Sequence, residues 1–162
     1  MQPVNPRVVD LLNEALTLEL TAINEYFLHA RMLDSWGFGE LGKAFYDLSI
    51  EEMRDADELI GRILLFDGHP NLQKLGAVKV GESAEEMLML GRESERSAVA
   101  RFNVAAKECH DLGDHGSAGV FEQMVRDEEK HVDWFESQLD AMERVGVQHY
   151  LAQQIRPEES PS

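Results

Sequence analysis

Arg126-Asp127-Glu128-Glu129-Lys130-His131-Val132-Asp133-Trp134 is the stretch on which the reading of the chain turns. Around it, Phe121, Met124, Val125, Glu128, His131, Val132, Phe135, Leu139 and Met142 recur at the i, i+3, i+4, i+7 spacing of one helix face. Glu128 and His131 therefore lie on the apolar stripe and not on the wet face. A carboxylate and an imidazole turned into a core cost several kcal/mol, on the order of the desolvation of each, unless something pairs with them. A divalent metal is one such partner, because E-x-x-H puts both ligands over a single helical turn. A Glu–His hydrogen bond within the core is the other. The remaining segments discriminate between the two.

Upstream, Leu12, Ala15, Leu16, Glu19, Ile23, Tyr26, Ala30 and Leu33 form one stripe, broken midway by Glu19. Asn5-Pro6 offers a cap followed by proline at the first helical position, so a helix is expected over about 6–35. A second helix, about 40–66, carries Leu41, Phe45, Leu48, Glu52, Asp55, Leu59, Ile63 and Phe66, again polar at mid-length. Asp57 and Glu58 fall out of phase and should be solvated. This helix bears a second apolar row, Tyr46, Ile50, Met53 and Ile60, turned by roughly 100° because adjacent helical residues are that far apart. Two apolar sides imply a second packing partner, so a subunit interface is expected there.

Ser83-Ala84-Glu85-Glu86 reads as a capping box opening a third helix, about 84–111. Its stripe runs Leu88, Gly91, Glu95, Ala98, Phe102, Ala105 and Cys109, with Glu95 the lone acid. The fourth helix, about 115–145, holds the stretch quoted first, and a short fifth is expected over 148–155 before a tail at 157–162. The connection over 67–83 is long for neighbouring antiparallel helices and suits a crossover running the length of a bundle. Gly37-Phe38-Gly39-Glu40-Leu41-Gly42 matches G-x-G-x-x-G literally, but a helix and not a strand precedes it. It reads as a turn, and dinucleotide binding is set aside.

Each of four long helices thus interrupts its stripe near mid-length with ligand-type residues: Glu19; Glu52 and Asp55; Glu95; Glu128 and His131. Bundles that hold two iron or manganese ions show this plan, one Glu from each of two helices and Glu-x-x-His from each of the others. Unpaired, these carboxylates would repel one another inside the bundle. The metal reading therefore prevails, with carboxylate and imidazole donors suited to iron or manganese. The second helix departs from the plan, offering Glu-x-x-Asp.

Composition bounds the rest. The chain has 162 residues, 31 acidic and 15 basic, for a net charge of -16. That size fits one domain spanning 1–162. The acidity argues against nucleic acid and anionic membranes, and no apolar run approaches the ~20 residues needed to span a bilayer. One cysteine, Cys109, excludes an internal disulfide framework and sits on an apolar stripe as a small hydrophobe. No signal-peptide pattern opens the sequence, and a cytoplasmic location is expected.

The chain resembles the bacterioferritins from about residue 4 to 156. The resemblance rests on Leu18-Glu19-Leu20-Thr21-Ala22-Ile23-Asn24-Glu25-Tyr26-Phe27-Leu28-His29-Ala30-Arg31-Met32, on Gly68-His69-Pro70-Asn71-Leu72-Gln73, and on the stretch quoted first. It implies an all-α, ferritin-like four-helix bundle with a long crossover and a short fifth C-terminal helix. It further implies a hollow 24-subunit homo-oligomer that oxidises Fe(II) with dioxygen or peroxide at a di-iron centre, stores the mineral, and binds haem b between paired subunits. By the same resemblance Glu52 and Glu128 would bridge the irons, Glu19 and Glu95 would be terminal, and His131 would supply the imidazole on one iron. Met53 would ligate haem, with Leu20, Ile23, Asn24, Phe27, Tyr46 and Ile50 about the same pocket. Asp47 and Glu51 would stand where some members carry a cavity-side pair.

Asp55 stands where the family has histidine. It makes five anions and one imidazole against four charges on two Fe(II), which favours Fe(III) at that position and slows release. The alternative is therefore a haem-bearing shell subunit with a weakened centre that co-assembles, as a hetero-oligomer, with a second, ferroxidase-competent bacterioferritin subunit. A reductase or ferredoxin is a further expected partner. A DNA-protecting mini-ferritin is disfavoured by the fifth segment and the lack of a basic tail, and a rubrerythrin-like peroxidase by the absence of Cys-x-x-Cys.

Overall fold

A computed structural model describes residues 1–156; the tail expected at 157–162 lies outside the described residues. Its helices are α1 (Arg7–Ser35), α2 (Gly39–Leu65), α3 (Ala84–Asp111), α4 (His115–Val145) and α5 (Val147–Ala152). The four long helices match the periodic segments to within a residue at each end. The fifth is shorter than expected: it spans Val147–Ala152 and not 148–155, because Gln153 and Gln154 close it in a turn with their N–H groups bonded three residues back.

The first start signal is also displaced by one position. Pro6, not Asn5, is the capping residue of α1, yet the Asn5 side chain still accepts from the Arg7 N–H at 2.9 Å. The box at Ser83 closes with a shift as well. Ser83 Oγ accepts from Glu86 N–H at 3.1 Å, while the Glu86 carboxylate reaches back to Glu82 N–H at 2.9 Å and not to Ser83. Both arrangements satisfy donors that a helix start leaves open.

α1 and α2 pair across the turn at 36–38, where Gly37 adopts φ 89°. Of the three glycines there, Gly42 serves packing: a Cβ on it would lie 2.6 Å from Asp34 Oδ1 and 3.0 Å from the Ala30 carbonyl, so α1 and α2 cross at a distance that admits no side chain. α3 and α4 pair in the same way across 112–114. Arg7 at the start of α1 meets Glu108 at the end of α3, and Arg62 at the end of α2 meets Asp114 at the start of α4. The two pairs therefore lie head to tail, which requires the connection between α2 and α3 to return along the bundle.

That crossover is fastened to one flank of α1. Asn71 N–H bonds Asn13 Oδ1 at 2.8 Å, Gly76 N–H bonds Thr21 Oγ1 at 2.9 Å, Lys79 N–H reaches Glu25 Oε2 at 3.3 Å, and Gly81 N–H bonds His29 Nε2 at 3.0 Å. From Asn13 to His29 the helix advances about 24 Å at 1.5 Å per residue. The strap follows most of its length.

The interior is two apolar clusters with a polar layer between. One holds Leu12, Leu16, Leu59, Ile63, Phe102 and Phe121; the other holds Tyr26, Leu33, Phe45, Leu88, Phe135 and Met142. Cys109 is fully buried in the first, the role expected of it. α5 covers the end of the second cluster, with Tyr150 buried and its hydroxyl donating to Gln138 at 2.7 Å. Among the described residues no helix is long and apolar enough to cross a membrane.

Candidate metal centre

The layer between the clusters consists of the residues that interrupt the four stripes. Glu19, Glu52, Glu95 and Glu128 are each 2% exposed or less, and His131 is 6% exposed. Asp55 is half-buried beside them. Helical spacing brings Glu128 and His131 onto one turn of α4, and Glu52 and Asp55 onto one turn of α2.

The ligand-type atoms gather into two overlapping quartets. Glu52, Glu95, Glu128 and His131 each offer an atom within 4.8 Å of all the others, and Glu19, Glu52, Asp55 and Glu128 do the same. Glu52 and Glu128 belong to both. All six residues singled out from the sequence are thus brought together, Asp55 included.

His131 is oriented by a residue of the cleft. Its Nε2 lies 2.6 Å from Glu51 Oε2, while its Nδ1 faces the quartet, 2.9 Å from Glu52, 3.4 Å from Glu128 and 3.7 Å from Glu95. Tyr26, fully buried, donates its hydroxyl to Glu95 Oε1.

The electrostatics are those of crowded buried acids. Burial, then Glu52, holds the Glu19 carboxyl well above its ordinary range. Burial, then Glu52, also raises Glu95. Burial with Glu95 pushes Glu128 up to about 8, and burial with Glu52 and Glu128 does the same for Asp55. At His131 burial favours the neutral ring, but the carboxylates of Glu128, Glu52 and Glu95 outweigh it and the net shift is upward. Protons take the place of cations wherever the layer lacks other positive charge.

Buried polar atoms normally find hydrogen bonds. Among the described residues, eight buried side-chain atoms have none, and six of those are Glu19 Oε2, both oxygens of Glu52, both of Glu128, and His131 Nδ1. The orphaned atoms are one nitrogen and five carboxylate oxygens converging on the same space. That donor set fits divalent cations of the iron and manganese kind.

A cleft between α2 and α4 leads to this layer, lined by Asp47, Glu51, Asp55, Asp127, His131 and Trp134. Met53 points elsewhere. It is 51% exposed on α2, and Tyr46 and Phe27 are exposed as well, with their rings 6.2 Å apart. Ile60, placed on the same row by its spacing, is half-buried and packs against the first cluster.

Two buried residues of the α1 flank were given no role from the sequence. Glu25 and His29 are 4% and 0% exposed and hold the crossover. Their signal was the four-residue spacing of Thr21, Glu25 and His29 along one flank of α1. Glu51 was read as one of a cavity-side pair with Asp47, and its contact with His131 was missed.

An antiparallel pair of helix hairpins, a crossover fastened along the first helix and a mid-bundle carboxylate–histidine layer define a ferritin-like protein. Residues 9–145 match the ferritin-like domain family. The bacterioferritin of Mycolicibacterium paratuberculosis is 45% identical over 149 residues, covering 92% of this chain and 94% of its own. That of Streptomyces coelicolor is 45% identical over 159 residues, covering 96% and 95%. The solved structure of Mycobacterium tuberculosis bacterioferritin BfrA superposes with a TM-score of 0.93 at 42% identity, over 96% of this chain and 98% of that one. The chain belongs to the bacterioferritin family.

Proposed function

We propose that the protein stores and detoxifies iron, oxidising Fe(II) within the bundle and depositing the product inside a hollow shell of 24 copies. The observation that carries the reading is the set of six orphaned donor atoms in the polar layer. Glu52 and Glu128, common to both quartets, are assigned as bridging ligands. Glu19 and Asp55 complete one position, and Glu95 and His131 the other. Iron bound there gives up electrons to dioxygen or peroxide.

The chain's own part is to bind, orient and handle protons. Glu19, Asp55, Glu95 and Glu128, whose carboxyls burial and one another raise, give up any protons they hold as Fe(II) enters. Glu51 accepts from His131 Nε2, which fixes the tautomer that turns the Nδ1 lone pair toward the metal. Asp47 and Glu51 in the cleft draw cations inward. Aerobic Fe(II) oxidation by the purified homopolymer tests the reading, beside an Asp55→Ala/Glu128→Ala double variant. Equal rates would sink it.

Haem b is assigned to the exposed face of α2. Met53 would supply one thioether per chain, so haem bound there would draw on two copies, with the exposed rings of Phe27 and Tyr46 beside it. Replacing Met53 by leucine should abolish the bis-methionine absorption spectrum.

A second reading follows from Asp55. Its carboxylate adds a negative charge to an already crowded layer, which fits a shell subunit with a weakened centre that co-assembles with a competent one. Asp55 does stand within the ligand quartet of Glu19, Glu52 and Glu128, and this favours the working centre. Rates of a co-expressed mixed shell well above those of the homopolymer would reverse the preference.

A further inference from the structure

At the other end of the bundle from the α1–α2 turn, the α3–α4 connection holds two histidines face to face. His110 is in the last turn of α3 and His115 is the first residue of α4. Their Nδ1 atoms are 2.9 Å apart, and the ring centroids 5.1 Å. Glu122, two turns into α4, places Oε1 2.6 Å from His110 Nε2. We propose that His110 and His115 form a surface site for a late first-row divalent cation such as Cu(II), with Glu122 as its positioning residue.

The geometry is that of two ligands in one coordination shell. Nitrogens at about 2.1 Å from a metal and at right angles to each other stand about 3.0 Å apart. Glu122 accepts the Nε2 proton of His110, which leaves that ring's Nδ1 lone pair pointing at His115. A carboxylate behind a ligating imidazole is the usual outer partner of such a ligand. With no cation present, the two Nδ1 atoms can approach this closely only by sharing a proton. A metal takes the place of that proton, which passes to His115 Nε2.

The backbone that carries the two histidines is fastened before anything binds. Gly113 N–H bonds the His110 carbonyl at 3.0 Å, and Asp114 N–H bonds the Cys109 carbonyl at 2.8 Å, closing the turn. Asp114 is buried, caps α4 through Ser117 N–H at 2.8 Å, and is held in turn by Arg62 at 3.2 Å. Little conformational freedom is left to lose on binding. His110 and Glu122 have side chains 42% and 47% exposed, so cations reach the pair directly.

The pair is separate from the bundle layer. His110 follows Glu95 by fifteen residues, about 22 Å along α3. The donors also differ in kind. The layer has one imidazole and five carboxylates, whereas the turn offers two imidazoles, which suits cations toward the copper end of the divalent series. The inference does not rest on the iron chemistry proposed above.

The test is a Cu(II) titration of the assembled protein at pH 7, followed by electron paramagnetic resonance. The expected result is one copper per chain showing coupling to two ring nitrogens, a signature the single histidine of the bundle layer cannot give. His110→Gln and His115→Gln should each abolish that species. Glu122→Gln should keep it with affinity lowered about tenfold. Circular dichroism of each variant shows that the helices are intact. A two-nitrogen copper species that persists in His115→Gln overturns the proposal, as does a parent protein that shows single-nitrogen copper alone.

Discussion

Glu51 Oε2 and His131 Nε2 meet at 2.6 Å on the side of the imidazole turned away from the buried carboxylates. One ring nitrogen is thereby committed to the cleft and the other to the bundle interior. Glu51→Ala removes the acceptor without touching the proposed ligands. Anaerobic Co(II) or Fe(II) titration should show affinity at the His131 position falling by about tenfold, the usual cost of losing such an outer partner. An unchanged binding curve would remove Glu51 from the site.

Asp55 sets a pH dependence. Burial, then Glu52 and Glu128, raise its carboxyl from 3.8 to about 8 in the metal-free chain. The native state keeps a proton that the unfolded chain releases near pH 4. Stability held at low pH is therefore lost as pH climbs from about 4 toward 8. Asp55→Asn deletes that loss, so the Tm of the metal-free variant should gain on the parent between pH 5 and pH 8. Parallel melting curves across that range would contradict the assignment.

His29 works in the opposite sense on the crossover. Burial lowers its pKa from 6.5 to about 4, against a weaker upward pull from Glu86. The neutral ring accepts from Gly81 N–H, and the stability it lends is present above pH 6.5 and drains away as pH falls toward 4. Hydrogen exchange at Gly76, Lys79 and Gly81, corrected for intrinsic rates, should be faster at pH 4.5 than at pH 7. Exchange should stay slow at both values along the middle of α4.

Gly91 is fixed by packing. A Cβ there would stand 2.3 Å from Phe135 Cζ, and that ring is fully buried against Tyr26, Phe45 and Trp134. Rigid neighbours on every side leave the ring nowhere to move. Gly91→Ala should destabilise the protein by about 1–3 kcal/mol, the cost of overpacking a closed core, read from urea unfolding. Gly61, which has open space around its Cα, should tolerate alanine.

The contrast between what the periodicity disclosed and what it hid has a physical cause. A stripe fixes which side of a helix faces inward, so Glu19, Glu52, Glu95, Glu128 and His131 were legible as soon as they broke four stripes at mid-length. Asp55 was legible for the same reason, one turn beyond Glu52. Glu25 and His29 were not, because they lie on the flank of α1 and are buried by a strap with no periodicity of its own. Glu51 was read only as one of a cavity-side pair; its bond to His131 depends on how α2 and α4 are rotated against each other. The first cap slipped by one residue to Pro6, and the Glu86 carboxylate returned to Glu82 and not to Ser83, because neighbouring groups can satisfy the same open donors.

The head-to-tail arrangement of the two hairpins bears on how the molecule comes together. α1 and α2 carry Glu19, Glu52 and Asp55; α3 and α4 carry Glu95, Glu128 and His131. Each hairpin can form from contacts close in sequence, but neither contains a complete quartet, since each quartet draws on both. Until the halves dock, their acids stay hydrated and cheap; docking is what strips water from them. A cation held by either quartet would be a clasp across the seam, and iron supply should bias the chain toward its docked state by mass action.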